Sequence, residues 1–405
     1  MWLINLAWKN LWRNKMRTTI NMSAVFFAVI LSVFTSSLKD GIFENLIKNV
    51  VSFHTGYIQI HLKGYWNEQI LDNCLTYDVN LNQQIISISN ISDATPRLES
   101  YGLIASDKNT KGCMVIGINP DKENKVTSLK NKLIRGAYLN QNDNGVLVSE
   151  GLANRINVNI NDTIYLIGQG YHGTTAAGRY KVKGLVKFGT PNLNNQIIYL
   201  SMPAASELYS SAQLATSIII SLHNPKLLQS TLSNIQQTLG NEYEVMSWEK
   251  ILPDVKQHIE TDGNNMQYIQ GILYMLVSFG IFGALLMMML ERKYELGMLV
   301  AIGMKKSKLC ILISIESILT VLGGCILGLL VSIPIVYYFN KHALKLGGEI
   351  AEIYERFGFE AVFPTSTSAD NFISQGITVL IIGLLLSLYP VFKIMKINPS
   401  TSMKR

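Results

Sequence analysis

Long apolar stretches separated by polar segments are the main pattern of this chain. Four stretches are long enough to cross the hydrocarbon core of a bilayer, which is about 30 Å thick and requires about 20 apolar residues. They lie at residues 18–38, 269–290, 309–338 and 372–392, and only the third contains a charged side chain, Glu316. The pattern predicts an α-helical membrane protein with four transmembrane helices, one before and three after a long polar region.

That polar region, residues 39–268, is large enough for an independently folded domain. It contains short runs of β-branched and apolar residues separated by Asn- and Gly-rich joints, which is typical of strands and turns. Strands are expected at 57–62, 113–118, 145–149, 163–167, 180–186, 196–200 and 217–222. Helices are expected at 150–156, 203–210 and 225–239. We therefore predict a mixed α/β domain whose last part, 248–268, is a helical stalk leading into the second span.

The distribution of charge predicts which segments face the cytoplasm. Basic residues precede the first span, fill the segment 291–308 and follow the fourth span, whereas the loop 339–371 has more acidic than basic residues. Because basic residues near span ends stay inside, both termini, the tail 393–405 and the segment 291–308 are expected to be cytoplasmic. The α/β domain and the loop 339–371 are then extracytoplasmic. Only 16% of residues are charged. The basic residues behind the net charge of +7 lie in these flanks, so the charge does not indicate nucleic-acid binding.

The first 17 residues have the pattern of a helix lying on the inner membrane surface. Asn5, Lys9, Arg13 and Arg17 recur every four residues, and the neighbouring tryptophans suit an interfacial position. An ordinary basic flank is the simpler alternative. A cleaved secretory signal is not expected, because the apolar run exceeds the usual length of about 7–15 residues and no small-x-small cleavage site follows it.

Motifs for catalysis and cofactor binding are missing from the sequence. There is no phosphate loop, no nucleophile elbow and no zinc-protease motif, and the six histidines are scattered without metal-ligand spacing. Gly168–Gly173 fits G-x-G-x-x-G only superficially, since no crossover helix or acidic partner follows. Cys74 and Cys113 are predicted to be free thiols, with a disulfide as the alternative. We therefore expect no catalytic residue, metal or cofactor on this chain.

Glu316 is the one ionisable side chain well inside a predicted span. Charges at such a depth are energetically costly and are often functional. Lys308 or water near the cytoplasmic end could stabilise this carboxylate. A structural ion pair and a role in coupling are equally open.

The segment 291–308 connects two spans at the membrane surface, where it could press on a partner and pull on both helices. Its run E-R-K-Y-E-L-G-M-L-V-A-I-G, which begins at Glu291, resembles the E-R-x-x-E-x-G-x-x-x-A-x-G motif of ABC permeases related to MacB, FtsX, LolC and LolE. The run A-W-K-N-L-W-R-N-K-M-R-T from Ala7 resembles their N-terminal pattern. Asn398-Pro399 resembles their C-terminal tail, although Thr401-Ser402-Met403 replaces the usual Ala-Leu.

The resemblance implies a mechanotransmission permease of the bacterial inner membrane. Two such subunits, identical or different, would pair with a dimer of a cytoplasmic ABC ATPase, which uses ATP and Mg. Chain length and the size of the outside domain fit LolC or LolE best, which implies release of lipoproteins and, as a further candidate partner, a periplasmic chaperone. A MacB- or FtsX-like role with peptides or cell-envelope enzymes is the alternative. A membrane-anchored binding protein without an ATPase is the alternative from a different class.

Three sets of residues are candidates for these roles. Coupling to the ATPase is expected of Glu291, Arg292, Glu295, Gly297, Ala301 and Gly303. A lateral gate for the cargo is expected to include Phe26, Phe27, Phe34, Met275, Phe279 and Phe282. Contact with a soluble acceptor is expected of Gly170, Tyr171, His172 and Gly173. The plainer alternatives are a solvated loop, lipid-facing or packing side chains, and an ordinary hairpin.

Overall fold

The computed structural model describes residues 2–13, 15–51, 55–106, 109–189, 191–349, 351 and 362–396. It divides the chain into two compact units. The first comprises Met1–Asn45, Ile259–Lys345 and Val362–Arg405, and the second comprises Leu46–His258 and Leu346–Ala361. We call them the membrane unit and the α/β unit. The tail motif at Asn398-Pro399 lies outside the described residues.

The described residues form fifteen α-helices. They are α1 (Trp2–Arg13), α2 (Lys15–Val50), α3 (Tyr65–Glu68), α4 (Val79–Ile86), α5 (Pro120–Thr127), α6 (Glu150–Ile156), α7 (Pro191–Asn194), α8 (Met202–Tyr209), α9 (Leu228–Leu239), α10 (Trp248–Ile251), α11 (Pro253–Glu291), α12 (Lys293–Ala301), α13 (Lys306–Lys341), α14 (Ala369–Leu386) and α15 (Leu388–Met395). Four helical segments are long and apolar enough to cross a membrane, and they lie in α2, in α11, in α13 and in α14 with α15. The four predicted apolar helices are confirmed.

These helices extend beyond the apolar stretches that predicted them and continue into polar sequence. α2 continues from residue 38 to Val50, and α11 begins at Pro253 rather than at 269. The fourth stretch is two helices, because α14 ends at Leu386 and α15 begins at Leu388. Pro390 accounts for this break, since a proline has no N–H and its ring clashes with the carbonyl four residues earlier.

Close packing of α2 on α13 depends on two glycines of α13. A Cβ at Gly324 would lie 2.7 Å from the Cβ of Val25, and one at Gly328 would lie 2.8 Å from the Cβ of Val29. Small residues four apart let two membrane helices approach closely. The apolar core of this part of the unit consists of Val25, Ala28, Val29, Val33, Val277, Ile281, Leu285, Met288, Val321, Cys325, Val336 and Val379.

The described residues also form fourteen β-strands. They are β1 (Ile58–Leu62), β2 (Leu75–Thr76), β3 (Ile91–Ala105), β4 (Thr110–Ile118), β5 (Leu133–Gly136), β6 (Gly145–Ser149), β7 (Thr163–Gln169), β8 (Thr175–Val186), β9 (Ile197–Ser201), β10 (Leu214–Ala215), β11 (Ser217–Leu222), β12 (Tyr243–Ser247), β13 (Leu344–Lys345) and β14 (Val362–Phe363). Ten of them form one sheet in the order β12-β1-β11-β3-β4-β9-β6-β8-β5, with β7 paired to both β3 and β8. The pairs β4–β9 and β6–β8 are parallel and the others are antiparallel. The predicted mixed α/β fold is confirmed.

All seven predicted strands are present, those at 145–149 and 217–222 with the predicted ends and the others with shifted ends. The longest of the described strands, β3, was not predicted. Polar residues and Pro96 interrupt its apolar alternation. The strand is nevertheless continuous, because it pairs along its length with β11, β4 and β7. The predicted helix 225–239 is a single 3-10 turn at Pro225–Leu227 followed by α9.

Candidate functional site

Polar side chains from α1, α13 and the turn between α11 and α12 meet inside the membrane unit. Glu316 of α13 is only 1% exposed and forms an ion pair with Arg292, which is 4% exposed and lies in that turn. Asn10 of α1 donates a hydrogen bond from Nδ2 to Glu316 Oε1 at 2.7 Å. Arg292 Nη1 donates to the other oxygen, Oε2. Both oxygens of the buried carboxylate are therefore hydrogen-bonded, as burial of a charge requires.

A second carboxylate continues this arrangement toward the surface. Glu295 Oε2 of α12 lies 3.4 Å from Arg13 Nη2 and 3.5 Å from Arg292 Nε. Arg292 thus contacts two carboxylates through different nitrogens, and the charges alternate from Arg13 to Glu295, Arg292 and Glu316. The four formal charges sum to zero. We call these four residues and Asn10 the charge cluster.

One face of α12 is packed and another is uncovered. Leu296 and Gly297 are its buried residues. Tyr294 and Met298 of α12, and Ile302 directly after its last residue, are exposed and follow one another at intervals of four residues, so they form an apolar stripe along one side. Leu296 belongs to an apolar core shared by five helices, which consists of Ala7, Met289, Leu296, Leu309, Cys310, Leu312, Ile313 and Ile394.

The six candidate coupling residues therefore lie in different environments. Glu291 and Ala301 are exposed, whereas Arg292 and Glu295 are engaged within the chain. Gly303 is exposed and has a φ of 104°, which glycine adopts without a steric penalty. It forms the turn between α12 and α13, where its N–H donates to the carbonyl of Val300 at 3.0 Å.

The candidate gate residues do not form one surface. The Phe34 ring contacts Phe339 of α13, with centroids 5.3 Å apart, and the Phe282 ring contacts Tyr389 of α15 at 4.9 Å. Phe26 is half-buried, and its ring packs on the ring of Phe27. The exposed members of the set are Phe27, Met275 and Phe279.

A cleft of about 500 Å³ lies elsewhere between α2 and α11. The lining side chains from α2 include Met16 and Asn21, and those from α11 include Met287 and Glu291. Asn21 is buried, whereas Glu291 is exposed at the end of α11. The cleft therefore combines apolar walls with two polar groups, and the candidate gate residues do not line it.

The candidate acceptor loop is the tip of a hairpin rather than a long loop. β7 continues to Gln169 and β8 begins at Thr175, so only residues 170–174 lie between the two strands. A single 3-10 turn at Tyr171–Gly173 closes the hairpin, with Gly170 buried and His172 exposed. The backbone N–H of His172 donates to Asp72 Oδ1 at 2.7 Å, which fixes the tip against the rest of the α/β unit.

All four cysteines are free and buried, so the alternative of a disulfide between Cys74 and Cys113 is excluded. Burial raises the pKa of each of these two thiols to about 12. They therefore stay protonated and pack as small apolar side chains in the core of the α/β unit.

Two family models match the chain along most of its length. The MacB-like periplasmic core domain matches residues 18–238, and the FtsX-like permease C-terminal domain matches residues 269–399. The chain belongs to the ABC transporter permeases related to MacB, FtsX and LolC. Members of this family are permease subunits rather than enzymes, they work with ATPase partners, and they reside in the bacterial inner membrane.

Individual relatives are distant. The lipoprotein-releasing system transmembrane protein LolC of Buchnera aphidicola subsp. Schizaphis graminum is 21% identical over 331 residues, which cover 80% of this chain and 79% of that protein. LolC of Neisseria meningitidis serogroup B is 21% identical over 242 residues, 58% of each chain. The crystal structure of the periplasmic region of MacB from Actinobacillus actinomycetemcomitans has a TM-score of 0.36 at 16% identity, and the match covers 53% of this chain and 97% of that one.

In this permease, the structure corrects one sequence interpretation and adds contacts that the motifs did not indicate. Lys308 is exposed, and the partners of Glu316 are Arg292 and Asn10, so the prediction of Lys308 as its partner is wrong. A buried acid in a span needs a nearby cation, and the position of Arg292 at the end of the preceding span is the sequence signal that could have identified it as the partner. Asn10 lies in the N-terminal run that resembles the family pattern, but nothing in that run indicates Glu316 as its partner.

Proposed function

We propose that this chain is the permease subunit of an ATP-driven mechanotransmission transporter, with α12 as the helix that receives movement from a cytoplasmic ABC ATPase. The observation that supports this role is the two-sided character of α12. Leu296 and the charge cluster hold one side against α1 and α13, while Tyr294, Met298 and Ile302 leave an apolar stripe uncovered on the other. An exposed apolar stripe bordered by charged residues is typical of a surface that binds a protein partner.

The contacts also indicate how movement would pass from α12 into the membrane. Arg292 lies between the last residue of α11 and the first of α12, so displacement of α12 acts directly on the end of α11. The ion pair of Arg292 with Glu316 transfers the same displacement to α13. A buried charge pair resists separation because each partner alone would be an uncompensated charge in an apolar environment. The proposal includes a second permease subunit, identical or different, and an ATPase dimer that uses ATP and Mg.

We further propose that the termini and α12 are cytoplasmic and that the α/β unit is extracytoplasmic. The support is the distribution of basic residues around the spans. In this arrangement the permease would work on substrate at the outer face of the inner membrane, and no polar path across the bilayer is needed.

The proposed cargo is a lipoprotein anchored in the outer leaflet. Extraction of an acyl chain costs about 0.8 kcal/mol for each buried CH₂, which makes coupling to ATP physically reasonable. Phe27, Met275 and Phe279 offer exposed apolar side chains on α2 and α11 to such a chain. The tip at His172 is the proposed contact for a soluble acceptor such as a periplasmic chaperone. The resemblance to proteins named as LolC supports this cargo, and release of peptides by a MacB- or FtsX-like transporter is the competing function.

Reconstitution tests the proposal directly. The permease would be placed in nanodiscs with its ATPase and a triacylated lipoprotein, and both ATP hydrolysis and release of the lipoprotein to a soluble chaperone would be measured. We expect ATP-dependent release, and we expect the same protein without its acyl chains to leave hydrolysis at the basal rate. Stimulation by peptides with no release of lipoprotein would refute the cargo and retain the permease. Absence of any ATPase in the purified complex would refute the coupling role.

A further inference from the structure

A small cavity lies on one face of the ten-stranded sheet, within the α/β unit and away from every candidate residue discussed above. Its volume is about 210 Å³. Alternate residues of a strand share a face, so β3 contributes Glu99 and Tyr101 to it, and the register of β3 with β4 places Met114 beside Tyr101. α3 contributes Tyr65 and Trp66.

The walls of the cavity are largely aromatic. The Tyr65 ring stacks on the ring of His61 with centroids 5.1 Å apart, and the Trp66 ring lies 5.6 Å from the same imidazole. Burial lowers the pKa of His61, so the ring is neutral at pH 7 and places no cation in the wall. Its Nδ1 lies 2.9 Å from the carbonyl oxygen of Thr216, a contact that fixes the ring.

Glu99 supplies an incompletely compensated negative charge. Its carboxylate accepts a hydrogen bond from Arg97 Nη1 at 3.2 Å. Arg97 is fully buried and also donates to both oxygens of Glu123, at 3.1 Å from Nε and 2.5 Å from Nη2. One guanidinium therefore serves two carboxylates. Lys132 interacts with Arg97 and Glu123, and its pKa is lowered to about 7 by burial and by Arg97, against the raising effect of Glu123, so it adds only part of a charge at neutral pH.

A buried hydroxyl without a partner also borders the cavity. Thr55 lines it and is 4% exposed, and its Oγ1 has no hydrogen-bond partner among the described residues. Buried polar atoms of native proteins are nearly always hydrogen-bonded, so this hydroxyl is available to a polar group that enters the cavity. Aromatic faces, a carboxylate that shares Arg97 with Glu123, and a hydroxyl without a partner together are the environment that suits an ammonium group on a short apolar stem.

We propose that this cavity binds an alkylammonium group, with Glu99 as its counter-ion, Thr55 as a hydrogen-bond partner and the rings of Tyr65 and Trp66 as its apolar walls. The group could be the side chain of a polypeptide lysine or a free amine, and the same site serves both. Leu252 also lines the cavity and immediately precedes α11. A ligand bound in the cavity would therefore lie beside the residue that precedes α11.

Binding of small probes to the intact permease in nanodiscs tests this site. The probes are Nα-acetyl-lysine methylamide, its uncharged glutamine counterpart and n-butylammonium, and affinity is measured by calorimetry and by tryptophan fluorescence. The protein contains five tryptophans, so Trp66→Phe identifies the part of the fluorescence change that arises in the cavity. Glu99→Gln keeps an acceptor for Arg97 while removing the charge. Glu68→Gln, on the exposed side of α3, removes one charge without altering the cavity.

We expect saturable binding of the lysine derivative and none of the glutamine derivative. Glu99→Gln should weaken binding by about tenfold, the loss of one charge-assisted contact, and Thr55→Val should weaken it less. Glu68→Gln should bind as the unaltered protein does. Equal affinity for n-butylammonium would identify a free amine as the natural source, and a clear preference for the lysine derivative would identify a polypeptide. No saturable binding up to about 10 mM, or binding that Glu99→Gln leaves unchanged, would overturn the proposal.

Discussion

The ion pair between Arg292 and Glu316 permits a test that separates stability from transmission. Removing one member of a buried pair leaves the other as an uncompensated charge, which costs about 3–5 kcal/mol. Arg292→Met and Glu316→Gln should therefore each lower the unfolding free energy of the permease by that order. Asn10→Ala removes one hydrogen bond to a charged group and should cost less, about 1.5–3 kcal/mol. Lys308→Met, at an exposed basic position of the same helix as Glu316, is the matched control and should change little.

The double variant Arg292→Met with Glu316→Leu separates the contribution of the ion pair to stability from its contribution to transmission. Replacing a whole buried pair by apolar residues of similar volume is often neutral or stabilising. We therefore expect the double variant to recover most of the stability that either single change removes. If the pair transmits movement from α12 to α13, the recovered protein should still hydrolyse ATP with its ATPase partner but should no longer couple hydrolysis to release of cargo.

Two measurements on the same nanodisc samples check these expectations. Thermal and denaturant unfolding give the stability of each variant, and cargo release per ATP hydrolysed gives the coupling. A double variant that is no more stable than either single variant, or a Glu316→Gln variant no less stable than Lys308→Met, would refute the buried pair. A double variant that is both stable and fully coupled would show that the pair is structural only.

Three further predictions follow from other parts of the chain. Ile302→Asp, in the apolar stripe beside α12, should abolish co-purification of the ATPase and leave the unfolding temperature unchanged. Lys305→Met, at a neighbouring exposed position, is the control and should still co-purify with the ATPase. Equal loss of the ATPase in both variants would argue against the apolar stripe as the contact. Single cysteines at Asn159 and Glu349 should react with an impermeant thiol reagent in right-side-out vesicles, in a background without native cysteines, and one at Lys305 should not; labelling at Lys305 would reverse the proposed topology. Burial lowers the pKa of Lys132 to about 7 from its ordinary value near 10.4, so the unfolded chain binds more protons between these values and stability should rise with pH across that window. Lys132→Met should remove this rise, and an unchanged pH dependence of unfolding would contradict the shift.

The membrane helices and most strands were predictable because each depends on a local pattern. A run of apolar residues identifies a span wherever it lies, and strands such as β6 and β11 have uninterrupted β-branched sequences. β3 escaped prediction because one of its faces carries Arg97, Glu99 and Tyr101. Those side chains are polar for reasons that concern the ion pair with Glu123 and the neighbouring cavity, and such reasons cannot be recognised until the strand is placed beside its neighbours.

The contacts within the charge cluster were also not predictable from the sequence. The E-R-x-x-E motif indicated that Arg292 and Glu295 matter, but it did not indicate what they contact. Asn10 and Glu316 are 306 residues apart in sequence, and their hydrogen bond exists only because α1 packs on α13. A motif therefore identifies residues whose chemistry is needed, whereas the tertiary packing decides which of them face a partner and which hold the chain together. In this permease Arg292 and Glu295 are engaged within the chain, and the contact surface proposed for a partner is the exposed apolar stripe at Tyr294, Met298 and Ile302.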